Sequence, residues 1–162
     1  MTRAPLQCII TLLKQIAFSG GISIIKKITL ILLRLLSIPY GYGVLLITLL
    51  WRKPTYSHNI KPPLWEISQL IKGNGQLLFD IIGNIMLLFP FGIFLPLWIR
   101  KADTPKKAAL GGFIVSEVIE VTQLITTRGY FEIDDLFHNT LGAFLGGFIG
   151  CSLAKRLYTE KK

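Results

Sequence analysis

Four apolar stretches, each about long enough to cross a lipid bilayer, alternate with polar connections along this chain. They cover roughly residues 28–51, 78–98, 108–126 and 136–154. A spanning helix needs about 20 mostly apolar residues, because the hydrocarbon core of a bilayer is about 30 Å thick. The pattern therefore predicts an all-α, polytopic membrane protein with four transmembrane helices in a small bundle. Pro39 predicts a kink in the first of them.

The first 27 residues follow a different pattern and are predicted to be a separate cytoplasmic or interfacial segment before a transmembrane domain at 28–162. If this segment is helical, one face is polar and contains Gln7, Thr11, Lys14 and Gln15. The mostly opposite face is apolar and contains Ile9, Ile10, Leu13 and Phe18. This spacing predicts an amphipathic helix lying on the membrane. A cleaved signal peptide is not expected, because Lys14 interrupts the apolar run and no small-x-small site precedes Gly20.

Polar residues at helical spacing interrupt the second and third apolar stretches, and a third set follows the same spacing if the fourth helix begins before residue 136. The three sets are Asp80 and Asn84; Ser116, Glu120 and Gln123; and Glu132, Asp135 and Asn139. Positions three, four and seven apart share one face of a helix. Because ionisable groups are costly in a bilayer and need partners there, each polar face should turn into the bundle.

The direction of each helix indicates the depth of these groups. The second and fourth helices run one way and the third runs the other way, so the polar groups should converge in one half of the membrane. Arg128 and Asp134, in the last connection, would join them. We therefore predict a polar pocket whose ligand-binding candidates are Asp80, Asn84, Ser116, Glu120, Gln123, Arg128, Glu132, Asp134, Asp135 and Asn139.

Each candidate also has a purely structural interpretation. Asn84, Ser116 and Gln123 are the kind of residue that joins membrane helices by hydrogen bonds. Asp134 and the neighbouring aspartate could be solvated, or could complement the positive end of a helix dipole. Glu120 is the hardest to interpret in this way, because it lies well inside a span.

Composition and charge support a membrane setting. The chain is 51% hydrophobic and 17% charged, whereas soluble domains carry about 25% charged residues. The net charge of +9 suits orientation and anionic lipid contact better than nucleic-acid binding, because the basic residues border the apolar stretches. Most of them fall on one side: Arg3, Lys14, Lys26, Lys27, Arg100, Lys101, Lys106, Lys107, Lys155, Arg156, Lys161 and Lys162. The positive-inside rule then places both termini in the cytoplasm and residues 52–77 and 127–135 outside.

Signatures of metal or covalent chemistry are weak. Cys8 and Cys151 make no disulfide framework and no metal-binding spacing. Asp134, Asp135 and His138, with Glu120, could offer ligands, but Asp-Asp-x-x-His is a weak motif. Ser116 and His138 lack the context of a nucleophile elbow, and no phosphate-binding glycine loop occurs. We therefore predict no metal and no cofactor, and an enzyme is not the favoured class.

Small residues point to close helix packing. Gly142, Gly146 and Gly150 form a GxxxGxxxG pattern, which allows two helix backbones to approach each other. The partner could be a helix of the same chain, which we favour, or a second copy in a homodimer. Arg34, in the first span, could reach the inner surface or pair with Glu117.

The same residues resemble the VanZ-like family of bacterial membrane proteins, the teicoplanin-resistance family, from about residue 51 to 150. The resemblance rests on Asn59 and Pro62, on Asp80, Asn84, Phe89, Pro90, Phe91 and Gly92, on Ser116, Glu120 and Gln123, and on Arg128, Phe131, Asp135, Asn139, Gly142 and Gly146. One departure is Glu132, where the family more often has aspartate. The resemblance implies a multi-pass protein of the bacterial cytoplasmic membrane that is linked to tolerance of teicoplanin.

Three functions are compatible with this sequence. The leading hypothesis is a non-enzymatic envelope protein whose outward pocket binds an amphiphile, either the glycopeptide antibiotic or a lipid-linked cell-wall precursor. The second is an intramembrane enzyme acting on lipid headgroups or lipid-linked sugars, with Glu120 as general base and Arg128 holding a phosphate. The third is a small ion-coupled carrier, which four spans would support best as a dimer.

Overall fold

The computed structural model describes the backbone of residues 4–55 and 59–159 and the side chains of residues 20–55 and 59–159. Within these ranges the chain is almost entirely helical. The elements in chain order are α1 (Ala4–Leu45), continued by a π-helical turn (Leu46–Leu50), β1 (Ile60–Lys61), α2 (Trp65–Ile71), α3 (Leu77–Trp98), α4 (Pro105–Thr126), β2 (Phe131–Glu132) and α5 (Ile133–Tyr158).

Four helices in the described part of the chain are long and apolar enough to cross a membrane. They are Gly20–Leu50, Leu77–Trp98, Pro105–Thr126 and Ile133–Tyr158, which confirms the predicted all-α membrane bundle. The last two begin three residues earlier than expected. The α4 start is fixed by Thr104, whose side chain accepts a hydrogen bond from the Lys107 backbone N–H, followed by a proline in the first turn.

The N-terminal segment is helical from Ala4 and continues into the first span without a break in α1. The side chains of residues 1–19 lie outside the described residues. The interfacial face of this segment and the domain boundary at residue 27 therefore stay predictions. Helix α1 passes through Pro39, and α3 passes through Pro90 and Pro96.

Helices α3 and α5 form the centre of the bundle, and glycines set their separation. A Cβ atom at Gly142, Gly146 or Gly150 would collide with backbone carbonyl atoms of α3. All three glycines are buried. The GxxxGxxxG face is therefore occupied by a helix of the same chain, which is the first of the two alternatives that the sequence allowed.

Helix α1 lies at the edge of the bundle, and from Gly20 onward it presents most of its apolar side chains outward. Polar contacts attach it to the centre. Arg34 Nε donates to the Leu97 carbonyl at 2.8 Å and Arg34 Nη2 donates to the Tyr158 hydroxyl at 3.1 Å. The Tyr40 hydroxyl donates to the Leu87 carbonyl at 2.6 Å. In a bilayer the outward apolar side chains of α1 would face lipid.

The connections at 51–76 and 127–132 meet at the same end of the bundle, which we call the loop end. The first of them contains β1 and the short α2, and its prolines and glycines disfavour a longer helix. Strands β1 and β2 pair in parallel, with Ile60 opposite Phe131 and Lys61 opposite Glu132. This two-residue pairing was not predicted, and it brings the charged side chains of both connections together.

Candidate functional site

A cavity of about 640 Å³ opens at the loop end of the bundle. It lies between the end of α1, the start of α3 and the two connections. Basic side chains line it on one part of its wall: Arg52, Lys53, Lys61 and Arg128. Apolar side chains line another part: Ile47, Leu77, Phe79 and Leu87. The cavity therefore combines a group of basic side chains with an apolar surface. Four carboxylates also line it: Glu66, Asp80, Glu132 and Asp135.

The predicted site residues divide into two groups of five. Those that line the cavity are Asp80, Asn84, Arg128, Glu132 and Asp135. Those that do not line it, all buried in the bundle, are Ser116, Glu120, Gln123, Asp134 and Asn139. The first group is accessible from the cavity, whereas the second group makes its contacts within the bundle or to the connections.

Asp135 connects the cavity to the helices around it. Its Oδ1 accepts a hydrogen bond from Asn84 Nδ2 at 2.5 Å, and its Oδ2 lies 3.9 Å from Arg52 Nη2. Arg52 Nη1 also donates to Gln123 Oε1 at 3.1 Å, and Gln123 Nε2 donates to the Thr48 carbonyl at 2.8 Å. One polar chain thus joins α3, α5, α4 and the end of α1, with its middle at the cavity wall.

Glu120 supports the cavity from behind through the β2 strand. Its Oε2 accepts a hydrogen bond from the Glu132 backbone N–H at 2.9 Å. The Glu132 carboxylate pairs with Lys61 Nζ at 2.9 Å. The Lys61 ammonium also lies over the rings of Trp65 and Tyr130, at 4.1 and 5.2 Å from their centroids. Carboxylate and aromatic faces together hold this cation at the cavity wall.

Asn139 and Arg128 each join two parts of the bundle by hydrogen bonds. Asn139 Nδ2 donates to Ser116 Oγ at 2.9 Å, which joins α5 to α4. Arg128 Nη1 donates to the carbonyls of Leu49 and Leu50 at 3.2 and 3.0 Å. These carbonyls lie at the end of the π-helical turn, where the last carbonyls of a helix have no partner within it. Arg128 therefore closes the end of the first span as well as lining the cavity.

The last acidic candidate, Asp134, anchors the outer connection rather than lining the cavity. Its Oδ1 and Oδ2 accept hydrogen bonds from the backbone N–H groups of Leu64 and Glu66, at 2.6 and 3.0 Å. These bonds tie the start of α2 to the first turn of α5. They also place the Glu66 side chain, which is 3% exposed, beside His138.

The family of the chain follows from residues 28–154, which match the family model described as VanZ/LLP1. The chain belongs to the VanZ/LLP1 family. The match covers most of the chain and contains all ten candidate residues, and it confirms the resemblance inferred from the sequence. No curated protein and no solved structure matches the chain.

In this VanZ/LLP1 chain, the structure adds four charged cavity residues that the sequence did not single out: Arg52, Lys53, Lys61 and Glu66. In the sequence, Arg52 and Lys61 are basic residues of the connection at residues 52–77. The parallel pairing of β1 with β2 brings Lys61 to Glu132 across a separation of 71 residues. A contact between residues so far apart in sequence produces no local spacing pattern, so the sequence pattern could not predict it.

Carboxylates crowd together in one part of the VanZ/LLP1 cavity, around Glu66. Burial, together with the negative charges of Glu132, Asp134 and Asp80, raises the pKa of Glu66 to about 7, and the charge of Lys61 opposes this rise. The cavity thus has two chemically distinct regions: the basic wall described above, and an acidic corner around Glu66 that favours a proton or another cation.

Proposed function

We propose that this VanZ/LLP1 protein lies in the bacterial cytoplasmic membrane and binds an anionic amphiphile, a lipid-linked cell-wall precursor, in the cavity at the loop end. Binding would raise the tolerance of the cell for teicoplanin. The observation that carries the proposal is the meeting of four basic side chains and an apolar wall in one cavity of about 640 Å³. A phosphate-bearing headgroup with a hydrocarbon tail needs both.

The basic wall suits phosphate for a physical reason. Guanidinium and ammonium groups form short, charge-assisted hydrogen bonds to phosphate oxygens. Arg52, Lys61 and Arg128 are held by protein partners, so a ligand would meet groups that are already positioned. Lys53 is exposed on the same wall. These four residues would supply the headgroup contacts.

The apolar wall suits a tail that remains in the membrane. Phe79 is 75% exposed at the start of α3, and Ile47 is 56% exposed at the end of the first span. Both line the cavity and belong to helices that would cross the bilayer. The positive-inside rule supports an outward-facing loop end, which would bring the cavity to the outer leaflet.

The test compares two lysines of the outer connection. Lys53→Gln removes a charge from the cavity wall, and Lys72→Gln removes one from the exposed end of α2, which does not line the cavity. At equal expression, we expect Lys53→Gln to lower teicoplanin tolerance and to weaken binding of a lipid-linked precursor in nanodiscs by roughly three- to tenfold, about 1 kcal/mol. Lys72→Gln should match the wild type in both measurements.

Arg52→Gln provides a second test on the same wall, with the melting temperature measured beside binding, because Arg52 also bonds Gln123. Weakened binding in a variant that is still folded would support the proposal. Unchanged tolerance and unchanged precursor binding in Lys53→Gln and folded Arg52→Gln would overturn it.

A further inference from the structure

The acidic corner of the cavity contains a group of side chains that could hold a metal ion. Glu66, Asp135 and His138 each offer one ligand atom, and these three atoms lie within 4.8 Å of one another. They come from different elements, since Glu66 lies in α2 and the other two lie in the first two turns of α5. The fold, and not a local motif, brings them together.

Unpaired buried atoms point to a missing partner at this corner. Among the side chains that the structure describes, Glu66 Oε2 and His138 Nδ1 are buried and have no hydrogen-bond partner. They lie 3.3 Å apart, close enough for an ion pair but without hydrogen-bond geometry. The Glu66 side chain is only 4% exposed. Buried polar atoms nearly always have a bonding partner, so we expect a group that binds a lone pair of Glu66 Oε2 and a lone pair of His138 Nδ1.

The spacing and the ligand types agree with a metal ion. Ligand atoms about 2.0–2.2 Å from Zn²⁺ in a tetrahedral site lie about 3.4 Å apart. The 3.3 Å between Glu66 and His138 already matches that value, and the ligand atom of Asp135 lies within 4.8 Å of both. An imidazole nitrogen with two carboxylates suits first-row transition metals better than Mg²⁺, which prefers oxygen ligands alone and keeps several waters.

Surrounding hydrogen bonds already position the side chain of one proposed ligand and the backbone of another. Asn84 donates to one oxygen of Asp135, and Asp134 accepts from the Glu66 backbone N–H. Outer contacts of this kind fix ligands in metal sites. Arg52 competes for Asp135, but its contact with that carboxylate is long, at 3.9 Å. Asp135 therefore keeps lone pairs available for another partner.

We propose that Glu66, Asp135 and His138 bind one divalent transition-metal ion, with Zn²⁺ the best match. Three protein ligands leave one coordination position open. Glu66 and Asp135 line the cavity, so that position would face it and could take an oxygen atom of a water or of a bound ligand. The proposal does not depend on the identity of the amphiphile, because the three side chains would hold the ion by themselves.

The experiment uses the full chain, purified in detergent with a tag free of histidine and stripped with EDTA. Zn²⁺ is titrated in competition with a chromophoric chelator, and the thermal shift is recorded in parallel. We expect one site per chain in the wild type, a higher melting temperature with Zn²⁺ and little effect of Mg²⁺. Glu66→Gln and His138→Gln should each weaken Zn²⁺ binding by at least tenfold, about 1.4 kcal/mol.

The matched control is Glu117→Gln, which removes an exposed carboxylate of α4 away from this corner and should bind Zn²⁺ like the wild type. Circular dichroism and gel filtration confirm folding of each variant. If either variant fails to fold, the Zn²⁺ stoichiometry and reversible thermal shift of the wild type decide alone. No binding by the wild type at micromolar Zn²⁺, or equal binding by folded Glu66→Gln and His138→Gln, would overturn the proposal.

Discussion

Glu120, Gln123 and Asn139 are each at most 2% exposed, and each is hydrogen-bonded to another element of the bundle. A polar group in such a place is costly unless it has a partner. Substituting one of these residues therefore changes stability before it changes any ligand contact. Exposed cavity residues such as Lys53 are the cleaner probes of function, although Glu120 is the more conspicuous residue in the sequence.

Asp134 gives the clearest prediction for a single residue. Asp134→Asn keeps the size of the side chain but turns one of its two acceptors into a donor, which would face a backbone N–H group of Leu64 or Glu66. We expect the free energy of unfolding to fall by about 1–3 kcal/mol. Faster proteolysis within residues 52–76 should accompany the loss, because the bonds hold that connection to α5.

Chemical unfolding in detergent and timed proteolysis measure both effects of Asp134→Asn. Glu117→Gln is the reference, since it also neutralises one carboxylate but at an exposed position. If Asp134→Asn is as stable and as protease-resistant as Glu117→Gln, the two bonds do not anchor the outer connection.

At the scale of the helices, periodicity was the informative signal. Apolar length predicted the four spans, and the spacing of Gly142 and Gly146 predicted a close approach of two helices. The partner, α3, could not be predicted because a glycine face accepts any helix backbone. The β1–β2 pairing was also beyond prediction, since two residues carry no measurable period.

That limit explains why the site was only partly predicted. Asn84 and Asp135 were recognised as polar groups inside apolar helices, and the structure joins them in one hydrogen bond. Lys61 and Glu66 lie in a connection where charge is ordinary, so they carried no signal. Whether the candidate residues bind a ligand stays a prediction, which the experiments with Lys53 and Glu66 address.

Because α3 packs closely against α5, adding one methyl group at a glycine between them should strongly lower stability. In Gly146→Ala the new Cβ would overlap the Phe89 backbone carbonyl. Backbone cannot rotate away as a side chain can, so the two helices must separate. We expect a loss of about 1–3 kcal/mol in unfolding free energy, measured by thermal or chemical unfolding in the same detergent.

Gly43→Ala is the matched control, because a Cβ atom there meets nothing within 4 Å in the described structure. Alanine favours a helix over glycine by about 1 kcal/mol, so this variant should equal or exceed the wild type in stability. A Gly146→Ala protein as stable as Gly43→Ala would show that α3 and α5 are not in backbone contact.

At the scale of the whole molecule, the two ends of the bundle differ in chemistry. The loop end carries the cavity and the buried carboxylates. At the other end Arg34 bonds the Leu97 carbonyl and the Tyr158 hydroxyl, and the Arg100 guanidinium lies over the Tyr158 ring at 4.3 Å from its centroid. Basic and aromatic residues at that end are typical of a cytoplasmic membrane interface.

This asymmetry predicts which residues are accessible from outside the cell. With Cys8→Ser and Cys151→Ser as background, single cysteines are placed at Lys53 beside the cavity and at Lys106 in the first turn of α4, both exposed. A membrane-impermeant maleimide should label Lys53→Cys in intact cells, and Lys106→Cys only after permeabilisation. The reverse pattern would place the cavity in the cytoplasm, where it would meet inner-leaflet lipids and no precursor exposed at the outer surface.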